Sequence, residues 1–183
     1  MLLCLMGLAG ESIPELDIFP PDLTPPIEWQ SVFGTPVRLS SHHTFRCSGV
    51  VLGKDLVLTA AHCAVFSGLM VNNIPVTSSR YPWGDRDAVL LTVPGIGGLP
   101  AHWGHGTPQD GVKGFVTGWG CDDGHVLWIR DAEVVSDGVY RVKVCGGDSG
   151  GGVYDATGGL LGVVESIYVC PWELGGMTWL HPV

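Results

Sequence analysis

Charge is scarce in this chain, and positive charge is scarcer still. Nine Lys and Arg stand against 18 Asp and Glu, charged residues make up 15% of the sequence, and the formal net charge is −9. A protein that holds nucleic acid needs a basic surface to neutralise phosphates, so this balance disfavours that partner. Long apolar runs are lacking too: none reaches the roughly 20 residues that cross a bilayer as a helix. The sequence instead carries 28 Gly and 13 Pro, a composition that favours many short strands and turns over long helices. Its hydrophobic content of 45% excludes wholesale disorder. The 183 residues suffice for one ordinary domain or one double-barrel unit with a full core.

Residues 1–10 (MLLCLMGLAG) are apolar and end in small residues, like the hydrophobic part of a secretory signal without its usual basic leader. Residues 11–28 are rich in proline and acids. Repeated proline forbids a helix there and favours an extended propeptide or a strap across the domain. From Trp29 short apolar stretches take over: Val37–Leu39, Cys47–Leu52, Leu56–Thr59, Leu69–Val71, Ile74–Thr77 and Ala88–Val93. Turn residues separate them, so six strands closing into a small barrel are expected over about residues 29–100. A Gly- and Pro-rich bridge spans residues 95–111. A second strand series follows over about residues 106–183: Gly114–Thr117, His125–Ile129, Glu133–Val135, Tyr140–Val144, Gly151–Tyr154, Leu160–Ile167 and Met177–Leu180. The class expected is all-β.

The most informative stretch is Gly146-Gly147-Asp148-Ser149-Gly150-Gly151. A serine among four glycines suits neither a helix nor a strand interior. It suits a tight loop whose amides point outward, the geometry needed by an activated hydroxyl and an oxyanion hole. Three further motifs precede it in order: Thr59-Ala60-Ala61-His62-Cys63, Asp87-Ala88-Val89-Leu90-Leu91 and Val116-Thr117-Gly118-Trp119-Gly120, and the loop itself extends to Cys145. Cys47 and Cys63 lie sixteen positions apart. On these motifs the chain, from about residue 29 to its end, resembles the trypsin/chymotrypsin-like serine proteases.

The resemblance implies two six-stranded antiparallel β-barrels with the active site in the cleft between them. The stretch after Ser149 is short, so the C-terminal helix is expected to be short or missing. Ser149 is implied as nucleophile, His62 as base and then acid, and Asp87, rather than Asp85, as the orienting carboxylate. The backbone N–H groups of Gly147 and Ser149 would form the oxyanion hole. Lys143, six residues before the nucleophile, falls at the floor of the specificity pocket and would select an acidic side chain. Gly176 and Ile167 would line the same pocket. The expected activity is a serine endopeptidase acting on protein or peptide substrates through an acyl-enzyme; a catalytically silent binding module of the same fold, and an esterase using the same triad, are the alternatives.

The family disulfide beside the histidine implies Cys47–Cys63. Cys145 has two candidate partners, Cys170 and Cys121, of which the family pairing favours Cys170. No cofactor and no metal are called for. The gap between His62 and Asp87 is too small for the family's calcium loop, and Cys121 to His125, or His102 with His105, lack the spacing of a closed zinc site. Disulfides and the signal-like start point to a secreted or periplasmic protein, and a monomer is expected. Two departures stand out. No Ile-Val-Gly-Gly-like start precedes Trp29 to supply the amine that normally pairs with the aspartate before the nucleophile, so Asp148 needs another partner. Glu165, or Ser166 after a one-residue shift, lies where the family often has a serine behind the catalytic aspartate.

Overall fold

The computed structural model describes residues 15–19, 31–105, 111–121, 124–136, 139–168, 174–180 and 182. They form strands β1 (Glu15–Phe19), β2 (Pro36–Ser41), β3 (Thr44–Gly53), β4 (Leu56–Thr59), β5 (Leu69–Val71), β6 (Ile74–Pro75), β7 (Ser78–Arg80), β8 (Val89–Thr92), β9 (Lys113–Gly118), β10 (Leu127–Ser136), β11 (Val139–Arg141), β12 (Gly152–Asp155), β13 (Leu160–Tyr168) and β14 (Leu174–Trp179). Among the described residues, helix is confined to residues 31–33 and a 3-10 turn at Ala61–Val65. No helix is described after β14.

The strands form two antiparallel, barrel-like sheets. One runs β6-β5-β2-β3-β4-β8-β7. Its two edges, β6 and β7, are consecutive in the chain and almost one strand. Val76 N–H bonds Leu69 O at 3.1 Å on the β5 side, and Thr77 N–H bonds Thr92 O at 2.9 Å on the β8 side. The single stretch expected at residues 74–77 is thus split near Pro75, which has no N–H to give a ladder. The second sheet runs β1-β10-β11-β14-β13-β12-β9, and β9 also pairs with β10, closing a six-stranded barrel. The two stretches expected at His125–Ile129 and Glu133–Val135 are one ten-residue strand, β10. Its length lets it pair with β9, β11 and β1 at different points.

Local turns follow from residues that tolerate positive φ. Asn72 and Asn73, at φ 46° and 67°, join β5 to β6, and His42 with His43, at 48° and 63°, join β2 to β3. Two left-handed central residues make the hairpin turn whose twist matches its strands. The asparagines are legible as turn formers, whereas the histidine pair is not.

Strands β3, β4 and β8 are buried on both faces, which explains their unbroken apolar runs. Val51, Val57, Val89 and Leu91 fill the first barrel, while Val50, Leu58 and Leu90 face the other way. There they pack with Tyr154, Leu160 and Val163 of the second sheet. Phe33 is wedged into this shared layer, edge-on to Phe115 at 5.4 Å and Tyr154 at 5.1 Å. Each fully buried Leu or Val contributes about 1.5–3 kcal/mol, so the layer fixes the barrels against each other. Val116, Val134, Val142, Val153 and Val164 fill the second barrel.

Asp155 closes the turn from β12 to β13. Its Oδ1 accepts hydrogen bonds from Thr157 N–H (2.8 Å), the Thr157 hydroxyl (2.6 Å) and Gly159 N–H (2.9 Å). Burial pushes its carboxyl up, but these bonds and nearby His105 outweigh that and hold it below the ordinary carboxylate value. A lowered folded-state value stabilises the fold above the unfolded carboxylate range, and the contribution is lost as pH falls through the folded value. Asp155→Asn is therefore expected to cost about 1–2 kcal/mol near neutral pH. Urea denaturation should show the gap from wild type narrowing on acidification; a gap independent of pH would contradict the account.

Candidate active site

Antiparallel register brings the first two candidate residues together. Thr59 of β4 lies opposite Val89 of β8, so the chain just past β4 meets the chain just before β8. His62, in the 3-10 turn after β4, and Asp87, before β8, occupy that junction. Asp87 Oδ1 accepts from His62 N–H at 2.8 Å, and its Oδ2 lies 2.6 Å from His62 Nδ1. An ionised carboxylate only accepts hydrogen bonds, so Nδ1 carries the ring proton and the Nε2 lone pair is left for other work. The histidine side chain is 46% exposed and the aspartate 20%. Asp85 is exposed, and among the described residues no hydrogen bond joins it to His62.

The Ser149 loop joins β11 to β12 and is held from below by Asp148, which has 0% exposure. Its Oδ1 accepts from Gly120 N–H at 2.7 Å, and its Oδ2 from Cys145 N–H at 2.8 Å. The counter-charge is Arg130 on β10, itself 2% exposed, whose Nη1 donates to Oδ2 at 2.9 Å. Arg130 also lies 5.0 Å from the centre of the Trp128 ring. A Cβ on Gly118 or Gly120 would run into the Asp148 carboxylate, so the two glycines around Trp119 form the socket that receives it. The cation missing from the expected N-terminal motif is thus supplied from within the barrel. The sequence carries no signal of this, because Arg130 is followed by Asp131 and Glu133 on the same strand and reads as one of several charges there.

Asp148 also decides the second disulfide. The one carboxylate gathers the amides of Gly120 and Cys145 and so brings Cys121 against Cys145. These two are bonded, with Cα atoms 4.8 Å apart. This corrects the Cys145–Cys170 pairing favoured by the family pattern; Cys170 itself lies outside the described residues. Cys47 and Cys63 are bonded as expected, tying the His62 turn to β3. Cys, His and Asp atoms cluster at two places, Cys47-His62-Cys63 and Cys121-Cys145-Asp148. In both, the sulfurs are in disulfides and offer a metal no thiolate.

The loop is also fastened to the first barrel. Ser48 N–H donates to Ser149 O at 2.8 Å, and the Ser48 hydroxyl donates to Gly147 O at 2.8 Å. The Ser149 carbonyl lies 3.8 Å from Cys63 Sγ, next to His62. No hydrogen bond joins the Ser149 hydroxyl to His62 among the described residues. Such contacts are often long without substrate.

Lys143 is exposed beyond β11. Gly176 is buried on β14, facing Val139 and Ser166 in register. Ile167 lies on β13, and its side chain is outside the described residues. Glu165 accepts the Thr178 hydroxyl at 2.7 Å, whereas Asp87's hydrogen bonds go to His62. The two carboxylates are engaged separately.

No family model matches the chain, and no curated protein matches it in sequence. Solved structures do. The active form of the Rv3671c protease from M. tuberculosis is similar over 97% of this chain and 89% of its own, with TM-score 0.68 and 20% identity. Mouse neuropsin, a serine protease, is similar over 85% and 92%, with TM-score 0.67 and 20% identity. Human heparin binding protein is similar over 92% and 90%, with TM-score 0.67 and 16% identity. The chain has the fold of the trypsin-like serine proteases.

Removing Arg130 would strand a buried carboxylate. Arg130→Met is expected to cost about 3–5 kcal/mol of stability, measurable as a shift in the urea midpoint. A loss below about 1 kcal/mol would mean that the amides of Gly120 and Cys145 suffice to hold Asp148.

Proposed function

We propose that this chain is a serine endopeptidase that hydrolyses peptide bonds through an acyl-enzyme. The observation that carries the reading is the double hydrogen bond from His62 to Asp87, made beside a glycine loop that presents Ser149. In this mechanism the Ser149 hydroxyl attacks the scissile carbonyl while His62 Nε2 takes its proton. Asp87 holds the ring tautomer and stabilises the imidazolium. The negative oxygen that develops is received by the N–H groups of Gly147 and Ser149. His62 then protonates the leaving amine, and water repeats the sequence to release the acyl group.

Lys143, exposed six residues before Ser149, gives the substrate pocket its charge and a preference for an acidic side chain before the cleaved bond. Gly176 and Ile167 are its walls. Residues 29–183 are the protease domain. Residues 11–28 are a strap, a reading supported by the pairing of β1 with β10. Residues 1–10 are an export signal, and the two disulfides suit an oxidising, secreted or periplasmic location.

A fold neighbour named for heparin binding rather than proteolysis keeps one second reading open, a binding module without turnover. A fluorophosphonate probe separates the two. Wild type is expected to label and Ser149→Ala not to, with turnover falling on the order of 10⁶-fold. Folded wild type that stays unlabelled would favour the binding module. Among peptides with Glu, Phe or Arg before the cleaved bond, the Glu peptide should be cut fastest, and Lys143→Glu should reverse that order. Equal rates would remove the assignment of Lys143.

A further inference from the structure

The backbone polar groups around Ser149 can be followed one by one. Asp148 N–H donates to Cys145 O (3.1 Å), Gly150 N–H to Val164 O (2.7 Å) and Gly151 N–H to Asp148 O (2.8 Å). The carbonyls of Gly147 and Ser149 are both taken by Ser48, through its hydroxyl and its N–H respectively. Among the described residues this leaves two loop amides from 147 to 151 without a protein acceptor, those of Gly147 and Ser149. One residue of the opposite barrel thus holds the carbonyls of the peptide units 147–148 and 149–150, which alternate along the chain with the units that carry these two amides.

We propose that Ser48 is a positioning residue for the oxyanion hole: its hydroxyl fixes the peptide after Gly147, so that the amides of Gly147 and Ser149 converge on the reacting oxygen. This deepens the reading of the site as a serine endopeptidase and rests on it. Ser48 has 0% exposure, so bulk water cannot replace the bond. Its hydroxyl has no freedom of direction, because it accepts Trp119 N–H at 2.9 Å and must donate to Gly147 O. Its own carbonyl is held by the Thr59 hydroxyl at 2.7 Å, from the strand that leads into His62. The clamp therefore registers the oxyanion amides against the same strand ends that carry the base. Gly147, at φ +97°, occupies a conformation strained for other residues, and as a glycine it enters and leaves that conformation readily. Without an external hold, its peptide has alternatives that would turn an N–H out of the site and a carbonyl into it.

The experiment compares wild type with Ser48→Ala and Ser48→Thr, the latter keeping the hydroxyl. Substrate turnover is measured alongside inhibition by a peptide aldehyde, whose adduct places an oxygen in the oxyanion hole. Ser48→Ala should lower kcat about 10- to 100-fold, the scale of a weakened oxyanion donor, with KM within about twofold of wild type. It should weaken the aldehyde by about the same factor as kcat. Ser48→Thr should recover most of both. A merely structural role would lower melting temperature and leave kcat per folded molecule and aldehyde binding unchanged. That result would overturn the proposal, as would equal losses in Ser48→Ala and Ser48→Thr. If Ser48→Ala does not fold, Ser48→Gly, which leaves room for a water beside Trp119 N–H, is read by the same criteria. A wild type that neither labels with fluorophosphonate nor cuts peptides overturns the endopeptidase reading and this proposal together. An active wild type with an unimpaired hydroxyl-free variant overturns this proposal alone.

Discussion

The arrangement around Ser149 depends on a single buried ion pair. Asp148 would be among the most costly residues in the chain if left alone, because a carboxylate with no exposure loses its hydration entirely. The fold answers with two backbone amides and a guanidinium on three separate segments. Each donor is a constraint. Gly120 must approach closely enough that neither it nor Gly118 can carry a side chain. Cys145 must turn inward, and Arg130 must leave its strand for the interior. The second disulfide, Cys121–Cys145, spans the same two segments whose amides the carboxylate gathers, so bond and ion pair reinforce each other.

The two barrels carry different halves of the candidate site, and the shared apolar layer makes them one unit. His62 and Asp87 are positioned by the ends of β4 and β8, whose outward faces, Leu58 and Leu90, are packed into the second sheet. Ser149 is positioned by Asp148 within the second barrel. Shifting one barrel against the other by an ångström would separate His62 from the Ser149 loop while leaving each local geometry intact. The hydrogen bonds from Ser48 and the contact of Cys63 with the Ser149 carbonyl cross the same boundary. The cleft is therefore tied by polar contacts at its rim and by packing beneath.

Much of this was legible in the sequence, for reasons that differ by element. The turn at Asn72-Asn73, the apolar runs at 56–59 and 88–93, and the motifs around His62, Asp87 and Ser149 are short-range patterns, and the structure brings His62 and Asp87 into contact. The break between β6 and β7 depends on which neighbour each half meets, and the merger into β10 depends on three partners along one strand. Neither is a local property. The His42-His43 turn uses residues with no special preference for it. The family pattern favours Cys145–Cys170, while the sequence equally allows the Cys121–Cys145 bond that the structure shows. Arg130 and Ser48 act at separations of 18 and 99 residues from their partners Asp148 and Gly147. At such distances the pattern of the chain carries no information about who meets whom.

The choice of cation under Asp148 has a consequence for conditions of use. An α-amine titrates near pH 8 and would release a buried carboxylate as the solution turns alkaline. A guanidinium stays charged to far higher pH and donates from a planar fork. With Arg130 in that place, the carboxylate is matched by a charge that arrives with β10 as the barrel folds. No freed terminus has to find the socket, and no proton has to be retained to keep it. The loop around Ser149 is then held by a charge on the barrel's own strand, and β1, paired with that same strand, and the contacts that cross from the first barrel are the other elements joined to it.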